Sequence, residues 1–210
     1  MDPQQLMKAR QHLMRKDTIM KQLIQATGPC TLRSESDHFA ILTRSIISQQ
    51  ISTKAAIAIG NRLLASVKRF HPKTILAASD EALRAAGLSK GKQLSLRDLA
   101  EKCQDGTIPL KKLAKMEDAD VVETLVQVRG IGPWTADMFL IFALGRLDVL
   151  PIGDYGLRAG LLKHYAVGEL PKKDTMMELA APWQPYRSIG TWYIWRSFGN
   201  VPQSEADESS

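Results

Sequence analysis

Apolar residues recur at helical spacing along almost the whole chain, and no stretch alternates apolar and polar residues over the length of a strand. This pattern predicts an all-α fold. The clearest stripe, Ile59, Leu63 and Val67, has the i, i+4 spacing of one helix face. Ser52 is placed to cap the start of that helix, and His71, which precedes a proline, is placed to end it.

The same spacing predicts helices on both sides of this one. Ser79 is a second candidate cap, for a helix that stops at Gly87, and Pro133 suits the first turn of a helix because its missing N–H needs no partner there. The sequence contains no internal repeat and no long linker. The further predicted helices are one or two within 3–25 and single ones over 38–47, 90–103, 118–126, 133–144, 154–165 and 185–198.

Two of these helices have an apolar face that can be assigned from the sequence. The helix over 90–103 has Leu94, Leu96, Leu99 and Ala100 as its apolar positions. The helix after Pro133 is expected to bury Ala136, Phe139, Leu140, Ala143 and Leu144. Trp134 and Met138 then fall on the opposite face. A tryptophan there either packs against a second helical layer or lines a cleft.

The charge balance adds a candidate class of partner. The formal net charge is +6 and the pI is about 9.4, with basic residues in excess between Arg62 and Lys115. A basic surface suits a polyanion, although an ordinary solvated surface is the alternative on charge alone. The last residues, 204–210, form a small acidic tail that we expect to be disordered.

Cysteine usage and hydropathy exclude several other classes. Cys30 and Cys103 are the only cysteines, which excludes a tetracysteine zinc or iron–sulfur site and provides no disulfide framework. The N-terminus lacks a basic segment followed by an apolar one, and no uncharged apolar run approaches the ~18 residues of a membrane span. We therefore expect a protein of a reducing compartment that is neither secreted nor inserted in a membrane.

Two segments carry candidate chemistry at helix starts. In residues 128–136, Gly130 and Gly132 flank Ile131 between two predicted helices, so bare backbone and helix-terminal amides could hold a phosphate. A tight turn without a ligand is the alternative. In residues 150–157, Asp154 is placed as a helix cap. Helix-terminal amides favour its ionised form, and a persistent anion is what an oxocarbenium-like sugar would need beside it.

A third segment, 185–196, holds two of the four tryptophans and two of the four tyrosines. Taken alone, an aromatic helix is more often part of a core than of a binding pocket. Together, these motifs and the segment 47–52 resemble, in this order, the helix-hairpin-helix DNA glycosylase superfamily, in its 3-methyladenine DNA glycosylase II branch. The resemblance covers the chain from about His38 to Phe198.

The resemblance implies a role for individual residues. It identifies Asp154 as the catalytic carboxylate and places Trp134 where bifunctional relatives have a Schiff-base lysine, which implies attack by water and no lyase activity. It implies a base pocket of Trp134, Tyr155 and Trp195, with Met138 in place of a further aromatic. An electron-rich pocket suits a methylated purine because the ring carries positive charge.

The resemblance also implies how DNA is held. The hairpin residues Arg129, Gly130, Ile131 and Gly132 would hold phosphates, and Gln50 would fill the gap left by the flipped nucleotide. Gln49 and Ser52 belong to the same DNA-binding loop, for which a helix-capping loop is the alternative. The resemblance implies no metal and no cofactor for the chemistry, although a monovalent cation could bridge the hairpin backbone and a DNA phosphate.

The expected architecture has two helical lobes with DNA in the cleft between them. Residues 38–145 would form a bundle containing the hairpin at 129–133, and residues 1–37 would pack with a C-terminal lobe of residues 146–203 that carries Asp154. The function implied is a monomeric, monofunctional base excision repair enzyme that hydrolyses the N-glycosidic bond of alkylated purines in double-stranded DNA. It would act in the cytoplasm or nucleoid of a bacterium, or in the nucleus of a eukaryote. The alternatives are a glycosylase for deaminated or oxidised bases and a lesion-binding protein without catalysis.

Overall fold

A computed structural model describes residues 1–199, which form α-helices, two short 3₁₀ helices and connecting turns, without a strand among these residues. The predicted all-α fold class is confirmed. The predicted disordered segment 204–210 lies outside the described residues.

The helices of the described residues are α1 (Pro3–Lys16), α2 (Thr18–Thr27), α3 (His38–Ser48), α4 (Thr53–Val67), α5 (Pro72–Ala77), α6 (Asp80–Ala85), α7 (Lys90–Asp105), α8 (Asp118–Leu125), α9 (Pro133–Phe142), α10 (Tyr155–Tyr165), α11 (Lys173–Ala180) and α12 (Arg187–Arg196). The 3₁₀ helices are Leu113–Lys115 and Ala181–Trp183.

The chain divides into two units. Glu35–Leu144 forms one, which we call the hairpin unit, and Met1–Ser34 with the segment that begins at Gly145 forms the other, which we call the Asp154 unit. In the hairpin unit, α7 packs against α3, α5 and α6, while α8 packs against α9. In the Asp154 unit, α12 packs against α1, α2 and α10.

Short polar side chains start most of these helices, as the sequence predicts. Ser52 accepts a hydrogen bond from the N–H of Ala55 at the start of α4, and Ser79 accepts one from Ala82 at the start of α6. Asp154 caps α10 in the same way. Such caps satisfy backbone donors that have no partner inside the helix, so the helix boundaries are set locally by the sequence.

Two short helices were not predicted. The helix that starts after Ser52 ends before His71-Pro72 as expected, since α4 ends at Val67. A further helix, α5, then begins, with His71 as its cap and the proline in its first turn. Helix α11 was not predicted either, and no side chain caps it within the described residues. In α7, Leu94 is exposed, whereas Gln93 and Ser95 are buried, because neighbouring helices cover more than one face of α7.

Candidate functional site

The turn between α3 and α4 in the hairpin unit has an unusual backbone. Gln49 has φ −55° and ψ 129°, Gln50 has φ 58°, and the N–H of Ile51 donates to the carbonyl of Ser48 at 3.4 Å. These values fit a type II β-turn, whose third residue is usually glycine because of its positive φ. A long, exposed Gln50 holds that position instead, at a cost of about 1–2 kcal/mol.

The hairpin between α8 and α9 is a second tight turn in the same unit. The N–H of Ile131 donates to the carbonyl of Val128 at 3.0 Å, and Gly130 between them has φ 78°. A Cβ atom on Gly130 would lie 2.7 Å from the hydroxyl oxygen of Ser95. The backbone angle therefore favours glycine, and a side chain here would also have to displace the Ser95 hydroxyl. Ile131 is buried and anchors the turn.

The hairpin leads directly into the N-terminus of α9. Gly132 is the N-cap residue, Pro133 occupies the first turn, and within the described residues no side chain caps this end. The N–H groups at a helix start carry partial positive charge and attract anions. Arg129 is exposed beside them. The hairpin therefore presents a suitable geometry for a phosphate group.

One face of α7 supports the hairpin, a role that was not predicted from the sequence. The carboxylate of Asp98 accepts the N–H of Arg129 at 2.7 Å, and the Lys102 ammonium donates to Asp98 at 2.7 Å and to the carbonyl of Gln127 at 2.8 Å. Burial alone would raise the pKa of Asp98, but these hydrogen bonds outweigh it and hold the pKa below its ordinary value. The i, i+4 spacing of Asp98 and Lys102 was the available signal.

The turn and the hairpin are also linked directly. The side-chain amide of Gln49 donates to the carbonyl of Gly130 at 2.8 Å across 81 positions of sequence. Ser52, the third predicted DNA-binding residue of this loop, is exposed, and its hydroxyl accepts the N–H of Ala55. The structure thus brings Gln49 to the hairpin and leaves Gln50 exposed.

Asp154 lies at the start of α10 in the Asp154 unit, 5% exposed. Its Oδ1 accepts the N–H of Leu157 at 2.6 Å and the indole N–H of Trp195 at 2.9 Å. Both donors match a negatively charged oxygen, and charge-assisted hydrogen bonds of this kind hold a carboxylate in one orientation. Capping and a fixed carboxylate are therefore combined in one residue.

Two glycines of α10 allow α12 to pack close to Asp154. A Cβ on Gly156 would lie 3.2 Å from Oδ1 of Asp154 and 3.4 Å from the Trp195 ring. A Cβ on Gly160, one turn later, would lie 2.1 Å from the side chain of Ile194. The two glycines, four residues apart, therefore form a groove on α10 in which α12 packs. This contact places the Trp195 indole next to Asp154.

The other end of α12 fixes the chain that leads to Asp154. The Arg187 guanidinium makes two hydrogen bonds to the Asp148 carboxylate, at 2.8 and 3.0 Å. The hydroxyl of Ser188 donates to the carbonyl of Arg146 at 2.7 Å and accepts the N–H of Val149 at 2.9 Å. A bidentate pair of this type has a defined geometry. Both ends of α12 therefore help to position Asp154.

The four predicted pocket residues differ in accessibility. Tyr155 follows Asp154 and is 71% exposed, whereas Trp195 is 2% exposed. In the hairpin unit, Trp134 is partly exposed and Met138 is 1% exposed. The prediction that Met138 lies on a non-core face of its helix was wrong, since α9 is buried on most of its surface. The aromatic helix α12 is buried from Ser188 to Trp195.

The remaining candidate groups are unsuited to metal or thiol chemistry. Within residues 1–199, no three histidine, cysteine or acidic side chains are grouped as metal ligands. Burial raises the pKa of both Cys30 and Cys103 to about 12, so neither is a ready nucleophile. No helix in the described part of the chain is long and apolar enough to cross a membrane.

Several known proteins are similar to this chain in sequence. DNA-3-methyladenine glycosylase 1 of Schizosaccharomyces pombe is 34% identical over 199 residues, which span 91% of this chain and 87% of that protein. The alkylbase DNA glycosidase-like protein of the same yeast is 31% identical over 196 residues, 90% of this chain and 92% of its own. DNA-3-methyladenine glycosylase 2 of Escherichia coli is 28% identical, and the match covers 79% of this chain and 60% of that protein.

A solved structure and a family match lead to the same assignment. The structure of an S. pombe 3-methyladenine DNA glycosylase in complex with abasic DNA superposes with a TM-score of 0.82 at 31% identity, over 94% of this chain and 100% of that one. Residues 43–185 match the HhH-GPD superfamily of base excision DNA repair proteins, and this range includes the hairpin and Asp154. The chain belongs to the HhH-GPD superfamily of base excision DNA repair proteins.

Proposed function

We propose that this protein is a monofunctional DNA glycosylase that releases alkylated purines such as 3-methyladenine and 7-methylguanine from double-stranded DNA. The observation that carries the proposal is Asp154, a carboxylate held by a helix-terminal N–H and by the Trp195 indole in a chain of this superfamily. The names of the S. pombe relatives support the substrate class. Their higher identity favours that subgroup over the type II branch of the E. coli enzyme.

In the proposed reaction the N-glycosidic bond breaks and its electron pair stays with the base. A methylated purine of this type is cationic, so it leaves as a neutral molecule and is already a good leaving group. The sugar becomes oxocarbenium-like at C1′, and the Asp154 carboxylate stabilises this charge. Water adds to C1′ and loses a proton, which leaves an abasic site. A persistent anion is more useful here than a strong base.

The hairpin unit would bind the DNA itself. The amides of the hairpin and of the start of α9 would hold a phosphate without reading sequence, with Arg129 adding positive charge. Gln50 would enter the minor groove when the damaged nucleotide leaves the stack. Its positive φ at a position that favours glycine supports a functional need for a side chain there.

Exposed aromatic rings would contact the base. Tyr155 has the most accessible ring and directly follows Asp154. Trp134, at the start of α9, would also stack on the base, and we infer that it takes the position at which lyase-active relatives have lysine. Trp195 and Met138 are almost fully buried, so we propose that they support neighbouring site residues and do not stack on the base. A cationic purine gains from stacking on electron-rich rings.

A base-release assay tests this function. The protein is incubated with duplex DNA treated with a methylating agent, and free bases are separated by chromatography. We expect release of 3-methyladenine and 7-methylguanine and intact strands with abasic sites. Release only from oligonucleotides with a deaminated or an oxidised base would show that such bases, and not alkylated purines, are the substrates. Tight binding to such duplexes without any release would instead indicate a lesion-binding protein.

A further inference from the structure

We propose that Gln49 is a positioning residue that joins the Gln50 turn to the phosphate-binding hairpin, so that the two DNA-contacting elements act as one rigid unit. This inference rests on the proposed function, which assigns DNA contacts to the hairpin and to Gln50. It replaces the expectation that Gln49 itself contacts DNA. Its amide donates to the Gly130 carbonyl at 2.8 Å and is already used within the protein.

The linked turn needs external support. A non-glycine residue with φ 58°, such as Gln50, is strained, and the hydrogen bond that closes the turn is long at 3.4 Å. A turn of this kind would relax if nothing outside it held it in place. Gln49 is the residue immediately before the strained position, so its bond to Gly130 restrains the backbone at that point.

Side chains of α7 also support both elements. The Lys92 ammonium donates to the carbonyl of Ile47, next to the turn. Ser95 lies against Gly130, and Asp98 accepts the N–H of Arg129 in the hairpin. These side chains are three residues apart and share one side of the helix. The turn and the hairpin are thus fixed to a common scaffold as well as to each other.

This arrangement has a consequence for DNA binding. If the turn and the hairpin moved independently, ordering them would reduce the free energy available for opening the base stack. When they are joined, a phosphate held at the hairpin fixes the position of Gln50 along the groove. Gln49 should therefore affect the reaction largely through Gln50.

A double-mutant cycle tests this dependence. The variants are Gln49→Met, which keeps the length and removes the donor, Gln50→Ala, and the two combined. The same Gln→Met change at the exposed Gln104 of α7 is the control. We measure single-turnover base release and the Kd for a duplex with an abasic-site analogue. We expect Gln49→Met to slow base release and to raise the Kd by about three- to tenfold, the range of one neutral hydrogen bond. Its effect should be much smaller once Gln50 is alanine.

Additive effects of the two changes would overturn the proposal, because they would mean that Gln49 acts independently of Gln50. Gln49→Glu is a second variant of the same length, in which a carboxylate faces the Gly130 carbonyl. Its base release and its DNA binding should also be weakened. A Glu variant with wild-type release and Kd would overturn the proposal too. The double-mutant cycle can be carried out with Kd values alone, even if the protein releases no base. Failure of the glycosylase proposal is therefore distinguishable from failure of the proposal for Gln49.

A readout without DNA completes the test. In the free protein, amide hydrogen exchange is measured at Ile51 in the turn and at Arg129 and Ile131 in the hairpin, whose N–H groups are all hydrogen-bonded. We expect Gln49→Met to speed exchange at both elements by about three- to tenfold. Unchanged exchange in the hairpin would show that the two elements are not joined through Gln49.

Discussion

The indole N–H of Trp195 and the backbone N–H of Leu157 donate to the same oxygen of Asp154, at 2.9 and 2.6 Å. One donor belongs to the helix that Asp154 starts, and the other comes from α12, 41 residues further along the chain. The carboxylate is therefore fixed both by local helix geometry and by a tertiary contact. Only the first of these can be anticipated from neighbouring residues.

Replacing Trp195 with phenylalanine should slow base release while the fold is kept. Phenylalanine retains most of the buried ring but removes the donor to Asp154, and a hydrogen bond to a charged group is worth about 1.5–3 kcal/mol. We expect single-turnover release to fall by about tenfold or more, with unchanged Kd for abasic DNA. Trp192→Phe, a change at a buried tryptophan of the same helix, is the control. Equal losses in both variants would mean that Trp195 only supports the core.

The protein should form no covalent adduct with abasic DNA. A lyase forms a Schiff base between a lysine and the open sugar, and we propose that Trp134 takes the place of that lysine in this chain. We expect no borohydride-trapped complex after incubation with abasic duplex DNA, measured by denaturing gel electrophoresis against a lysine-dependent glycosylase as control. A trapped complex that forms at the rate of base release would contradict the water-based mechanism.

Gly160→Ala should destabilise the fold at the contact between α10 and α12. The added Cβ would lie 2.1 Å from Ile194, and overpacking of this kind costs about 1–3 kcal/mol in free energy of unfolding. Gly60→Ala is the matched control, because Gly60 lies inside α4 and an added Cβ there meets no atom within 4 Å. We expect that variant to gain up to about 1 kcal/mol. Urea denaturation with equal stability of both variants would contradict the proposed packing.

The stability of the protein should fall as pH rises through the range in which Asp137 ionises. Burial, with a smaller contribution from the Asp118 carboxylate, raises the pKa of Asp137 to about 7, against an ordinary value near 3.9 in the unfolded chain. The folded state therefore binds a proton more tightly, and stability from this group is present at low pH and lost between about pH 4 and pH 7.

Asp137→Asn removes this dependence. The variant should be more stable than the wild type at pH 8 by on the order of 1–2 kcal/mol. Solvent screening keeps this difference small because the Asp137 side chain is partly exposed. The difference should vanish near pH 4. Glu101→Gln, at an exposed position of α7, changes the net charge equally and controls for general electrostatics. If the Asn variant unfolds at the same urea concentration as the wild type at pH 8, the carboxylate is stabilised by groups that offset its burial.

The fold class and most helix boundaries follow from the sequence because they are set by local physics. Apolar spacing and capping residues such as Ser52 and Ser79 act within one or two helical turns. Helix faces were less predictable: Leu94 is exposed and Met138 is buried, since contacts with several neighbouring helices decide which side of a helix is covered. The short helix α5 was not predicted because a proline can either end one helix or start the next.

The candidate site divides in the same way. The resemblance identified Asp154, and its position before a helix predicted its capping role. Its hydrogen bond to Trp195 could not be predicted, because this bond depends on how α12 packs on the glycines of α10. The link between Gln49 and Gly130 spans 81 positions and has no local signature. Asp98 in α7 was overlooked because charged residues at helical spacing usually form a solvated face.

The role of Asp154 is tested by replacing it with asparagine. Asparagine caps helices as well as aspartate does, and its carbonyl oxygen can accept the same two N–H groups, so the fold and binding to abasic DNA should be retained. Asp37→Asn, the same change at the cap of α3, is the control. We predict that single-turnover release of 7-methylguanine falls by roughly a hundredfold or more in Asp154→Asn and is unchanged in the control. Release at the wild-type rate by Asp154→Asn would contradict a catalytic role for this carboxylate.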